Sequence, residues 1–198
     1  MYLHKPPKLG KDGLPNLTGY KMRATGTYRP LFRALGATTI NIKSSEVITA
    51  IQRGTVDGFG FTDVSLPAIG LHKVTKYRVQ PNFYQTNTVE TINLASWKAL
   101  SQAQKDSLNR MAIEYEVTSV QFVEAERLKE EIAIKAAGVK DVVLKGKAAA
   151  KYLEIAHGEI WKELKKRSKY HDALKPLLYH PGKANRQLKI KQKLDQNR

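Results

Sequence analysis

The sequence predicts an α/β fold, and three observations predict it. Two strand–helix–strand units follow one another between residues 19 and 61, and their helices stop at glycine. An extended Thr/Val/Tyr-rich stretch then crosses to a helical tract of nearly forty residues without internal Gly or Pro. A further strand and helix follow. Successive strand–helix–strand units argue for a parallel, wound sheet.

The elements read in order as follows. Residues 1–18 are rich in Pro, Gly and Lys and read as an arm or linker. GYKMRAT alternates polar and apolar residues and predicts the first strand. Pro30 starts an amphipathic segment, PLFRALG, and Gly36 sits where a left-handed helix cap needs it. TTINI is β-branched and reads as a strand. Ser44, Ser45 and Glu46 open the next helix, a hydroxyl cap with an early acid for the orphan N–H groups. That helix, EVITAIQRG, ends at Gly54, and TVDGFGF is a third strand breaking up at its glycines. SLPAIGLHKVTKY reads as a short helix. YRVQPNFYQTNTVETINLAS reads as strands passing between sheets. The long helix runs to Gly138 and is expected to be a spine joining two lobes, because it exceeds the usual helix of a single domain. VKDVVLK is a strand and AAAKYLEIAHGEIWKELKKRSK the last firm helix.

The residue balance narrows the chemistry. With no Cys, the 198-residue chain has no disulfides, thiolate metal sites or cysteine nucleophiles. There is no apolar run of about 18 residues to span a membrane, and the start MYLHKPPKLGKDG lacks the apolar core of a signal peptide. The 34 Lys and Arg exceed the 18 Asp and Glu, for a net charge of +16. The excess gathers at the end, where Lys165 to Arg198 holds 11 basic residues against two acids. Such an end is either a solvated tail or a patch for nucleic acid or an anionic surface. It lacks the aromatic interleaving that base stacking uses, which argues against nucleic acid.

Two places suggest a site. Arg23 ends the first strand, and ligands of open α/β sheets bind outside the carboxyl ends of strands. An Arg there is either a two-pronged donor for a carboxylate or a surface ion-pair partner. Asp57 to Phe61 ends the third strand, where glycine permits close backbone approach and Phe59 and Phe61 either wall a pocket or fill a core. The five His show no metal-ligand spacing, the Glu-rich face of the long helix reads as solvated pairs, and no nucleophile–base set is present. The chain is therefore not expected to be an enzyme, and no cofactor is implied.

Several ordered motifs resemble one family, the DctP-like solute-binding proteins of TRAP transporters. Leu17 to Arg23, LTGYKMR, resembles its L-x-G-x-K-[ILM]-R strand. Leu35 to Thr38 resembles its L-G-A-x-P turn, with Thr39 for the Pro. Glu46 to Gly58 is similar to its E-V-Y-x-A-L-Q-x-G-x-V-D-G signature, and Ile92 to Leu100 to its I-N-x-x-x-W-x-x-L junction. The resemblance covers residues 17–165. It implies a type II periplasmic-binding-protein architecture of two lobes closing on a small organic acid, a hand-over to TRAP membrane subunits, and a periplasmic location. It assigns Arg23 to the ligand carboxylate. Phe59, Phe61 and Phe83-Tyr84 then suggest an aromatic-lined pocket for a monocarboxylate with a hydrophobic body; Tyr28 adds a hydroxyl donor or packs on the helix it precedes, and Asp63 joins the binding set.

The departures matter too. Phe61 stands where sugar-acid binders of the family place Asn. Gly60 and Gln85 replace the acids of its cation-assisted sites, so no metal is expected. Most of a first lobe, with a second basic ligand contact, is expected on residues or a chain beyond these. The expected organisation is an arm at 1–18 and an α/β lobe at 19–80. Crossing strands, spine and C-terminal helices occupy 81–170, followed by a basic tail at 171–198.

Overall fold

The computed structural model describes residues 1–85 and 89–179. Six strands build one mixed sheet. Strands β1 (Tyr2–Leu3), β4 (Lys21–Arg23), β5 (Thr38–Ile40), β6 (Gly58–Phe59), β7 (Tyr77–Gln80) and β8 (Lys140–Val143) lie in the order β5-β4-β6-β1-β7-β8. β4 runs parallel to β5 and β6, as the two consecutive βαβ units require, and β7 runs parallel to β8. β1 is antiparallel to both β6 and β7 and joins the two parallel halves.

That central strand corrects the expected arm at residues 1–18. Met1, Tyr2 and Leu3 are buried, and only the next segment, with its small hairpin of β2 (Lys8–Leu9) and β3 (Pro15–Asn16), lies outside the main sheet. Pro and Gly dominate the composition of the stretch, and two strand residues are too few to show a period. Successive strand residues point to opposite faces, so Tyr2 and Leu3 enter different cores. Leu3 joins Met22, Leu31, Phe32, Val79, Tyr152 and Leu153 under α1 (Arg29–Ala34) and α5 (Gly146–Arg167). Tyr2 joins Val47, Ile51, Phe59, Leu66 and Leu71 on the side of α2 (Val47–Gln52). Gly36, at φ +94°, closes α1, and a Cβ there would stand 2.8 Å from Thr18 Oγ1. The expected short helix around 65–77 is one 3-10 turn, Leu71–Val74.

The helical half begins with α3 (Leu94–Ala99), capped by the Asn93 side chain. After Leu100 breaks the backbone, Ser101 and Gln104 form a capping box for α4 (Gln102–Ala136). The expected long helix is thus one continuous helix of 35 residues, with the short α3 set before it. Among the described residues, the buried side chains of α4, Glu130 and Ile134, lie near its C-terminal end. Ile134 is buried in the second core, and the Glu130 carboxylate accepts from the Ser65 N–H. Arg78 of β7 forms paired hydrogen bonds to Glu131 of α4 (2.6 and 2.8 Å) and to Asp141 of β8 (2.6 and 2.8 Å). Toward its start Met111, Ile113, Tyr115, Val117, Val120 and Phe122 are exposed. Of the crossing stretch, residues 81–85 and 89–93 carry no strand, and 86–88 lie outside the described residues. The first part of the expected basic tail is helical, as α6 (His171–Leu178); the rest of the tail, 180–198, lies outside the described residues.

Candidate functional site

The parallel strands β4 and β6 end side by side, with Arg23 opposite Phe59 in register and opposite Ile40 of β5. Asp57, just before β6, fixes the other end of this pair. Its carboxylate accepts from the Lys21 N–H at 2.9 Å and pairs with Lys5 at 2.6 Å. Burial alone would raise the Asp57 carboxyl, but those partners outweigh it and hold it below its ordinary range. The Asp of the Val-Asp-Gly signature thus aligns the strand that ends in Arg23.

Arg23 is 3% exposed. Its Nε donates to Ile42 O at 2.9 Å, one Nη to Gly60 O at 3.2 Å and the other to Ser44 Oγ at 3.0 Å. All three acceptors are neutral, and among the described residues no carboxylate pairs with it. Burial pushes the guanidinium below its ordinary pKa, while the nearby Tyr28 works the other way. An Arg remains cationic even so. The surface ion-pair reading is therefore corrected, because the group is buried and held by neutral oxygens. Ser44, expected as a helix cap, makes no cap hydrogen bond and accepts from Arg23 instead. Ile42, Ser44 and Gly60 form the cradle. Ser44 had a local explanation that hid this role, and backbone carbonyls carry no sequence signal at all.

Tyr28 lies over Gly60, where a Cβ would come 2.4 Å from the ring's Cγ, so only glycine admits the ring. The ring stacks on Phe32 (6.3 Å) and Tyr84 (6.3 Å) and stands edge-on to Phe83 (6.0 Å). Its hydroxyl makes no hydrogen bond within the described residues, and burial raises its pKa. Of the two expected roles of Tyr28, the ring's packing on α1 is the one seen. Tyr84 differs. Its hydroxyl donates to Ala156 O at 3.0 Å, and burial raises its pKa. Phe59 is a correction as a pocket wall, since it is 0% exposed and stacks on Tyr2 at 5.4 Å inside the core. Phe61 is half-buried against the same core, and Asp63 accepts from Asn82 at 2.6 Å in the loop beyond. Among the described residues no three His, Cys, Asp or Glu gather as a metal group would need.

A mixed sheet with two parallel halves, covered by helices and followed by one long helix, has the fold of type II periplasmic binding proteins. The chain belongs to bacterial extracellular solute-binding protein family 7 (DctP), whose pattern matches residues 13–168. Solved structures agree on the fold. A TRAP periplasmic solute-binding protein of Rhodoferax ferrireducens with bound malonate is 18% identical; the match covers 90% of this chain and 60% of that one at a TM-score of 0.67. One from Desulfovibrio salexigens with bound orotic acid is 20% identical (89% and 56% covered, TM-score 0.70). One from Bordetella bronchiseptica RB50, with calcium and picolinate, is 20% identical (99% and 58% covered, TM-score 0.71). This chain therefore spans 56–60% of the length of these relatives.

Proposed function

We propose that this chain carries the carboxylate-anchoring lobe of an extracytoplasmic solute-binding component that delivers a small organic acid to TRAP membrane subunits. The supporting observation is the Arg23 guanidinium, buried at the strand ends on three neutral acceptors with no anion beside it. A buried charge without a counter-ion is costly. A ligand carboxylate supplies that counter-ion, and one N–H on each terminal nitrogen is left for its two oxygens. The neutral cradle fixes the fork without spending its charge, so the site is preorganised for an anion.

The body of the ligand meets Tyr28, with Phe83 and Tyr84 behind it and Phe61 across the strand end. Tyr28 donates the second polar contact. This surface suits a monocarboxylate with a flat or hydrophobic body, and two of the similar solved proteins hold ring acids, orotic acid and picolinate. Asp63 holds its loop through Asn82 and does not touch a carboxylate, which it would repel. No step here is catalytic; binding and release are the whole chemistry.

Calorimetry of the full two-lobe protein against malonate, orotate and picolinate tests this. At least one should bind, and Arg23→Ala should weaken it by at least about tenfold, or about 1.4 kcal/mol. Arg23→Lys should not restore it, because the fork is lost. Unchanged binding in Arg23→Ala contradicts the assignment.

A further inference from the structure

A second surface lies where α5 turns into α6. Trp161 of α5 holds the corner, with its ring edge-on to the buried His171 at 5.5 Å and tilted against Tyr179 at 5.9 Å. That contact fixes which side of α6 turns outward. Tyr170, Leu174 and Leu178 are spaced four apart, so they form one stripe along a helix, and they are 59%, 41% and 66% exposed.

Positive charge flanks the stripe. Between Lys162 and Lys175 there are six Lys and Arg against two acids, Glu163 and Asp172. Both acids already face basic partners: Glu163 pairs with Lys166 and Arg167, and Asp172 lies 3.9 Å from Lys165. Lys169 Nζ sits 5.0 Å over the Tyr170 ring and Lys175 Nζ 5.7 Å over the Tyr179 ring. Lys169 therefore borders the stripe at Tyr170, and Lys175 lies over Tyr179, the residue after Leu178.

We propose that this corner docks on a membrane surface rich in anionic phospholipid. An exposed Tyr/Leu stripe bordered by Lys and Arg matches such a surface in both respects: the apolar side chains enter the boundary of headgroups and acyl chains, and the cations meet the lipid phosphates. Nucleic acid would satisfy the cations and leave Leu174 and Leu178 uncovered. The contact is peripheral and reversible, since no helix among the described residues is long and apolar enough to cross a membrane. It does not depend on Arg23 or on the proposed solute.

Co-sedimentation of the whole chain with vesicles tests it. Vesicles of phosphatidylcholine with phosphatidylglycerol should bind the protein, and vesicles of phosphatidylcholine alone should not. Binding should fall at least about tenfold at high salt. Leu174→Asp with Leu178→Asp should weaken it at least about tenfold, and Lys165→Glu with Lys166→Glu and Lys169→Glu should abolish the lipid preference. Ile113→Asp with Phe122→Asp on α4 should leave it unchanged. Equal binding to both vesicles, or a loss only in the α4 variant, overturns the proposal. So does duplex DNA binding that competes with the vesicles and ignores the Leu substitutions, or a dimer in solution that the Leu substitutions dissolve.

Discussion

The sheet around β4 and β6 and the first two-thirds of α4 belong to one chain but live under different rules. In the sheet, Met22, Phe59 and Tyr2 are enclosed on both faces, and even the charged Arg23 is sheathed by neutral acceptors. On α4, side chains of equal apolarity (Ile113, Phe122, Val120) stand in solvent. The sheet's order comes from tertiary packing; the helix draws on its capping box, helix-forming residues and local contacts such as Gln102 with Asp106. Arg78 is the joint between the two regimes, because it ties β7 and β8 to the last turns of α4.

Truncating the same residue type in each region breaks or sharpens this contrast. Phe59→Ala should cost about 3–5 kcal/mol in urea unfolding, since it opens a cavity in an enclosed core. The smallest effect belongs to Phe122→Ala, within about 0.5 kcal/mol, because an exposed ring loses little when removed; a cost like that of Phe59 would mean α4 is covered. Between them lies Arg78→Met, at about 2 kcal/mol. That is below the cost of breaking a fully buried pair, since both acids are about a third exposed and water screens them.

Arg78 also sets a pH dependence. Its hydrogen bonds hold the Glu131 carboxyl below the ordinary 4.5, against the opposing effect of burial. A carboxyl depressed in the folded state stabilises above its ordinary pKa and loses that stability as the pH falls through its folded value. Melting temperature should therefore drop as the pH falls below about 4.5, and the drop should be shallower in Arg78→Met. Equal acid sensitivity in both proteins would place the titration elsewhere.

The sequence disclosed these regions unequally. The βαβ units were legible because strand alternation, the apolar spacing of the helices and their terminal glycines agree between residues 19 and 59. The place of Arg23 at the end of β4 was legible because the strand's pattern is clear, while its proposed role came from the family resemblance. β1 was not, because its two residues precede a Pro/Gly/Lys-rich run. Phe59 was ambiguous for a plainer reason: a strand-end aromatic faces either a pocket or a core, and only the pairing of β1 beside β6 decides that it stacks on Tyr2. The cradle of Ile42, Ser44 and Gly60 assembles backbone and hydroxyl oxygens up to 37 residues from Arg23, and no local pattern encodes it.

The central claim is that the Arg23 charge is reserved for a ligand carboxylate. The most direct test is a titration cycle pairing a bound acid with its neutral amide, on the protein and on Arg23→Ala. The account predicts that the protein prefers the acid by at least about tenfold and that Arg23→Ala erases the preference while changing amide affinity little. If Arg23→Ala weakens acid and amide equally, Arg23 shapes the lobe and does not hold the carboxylate.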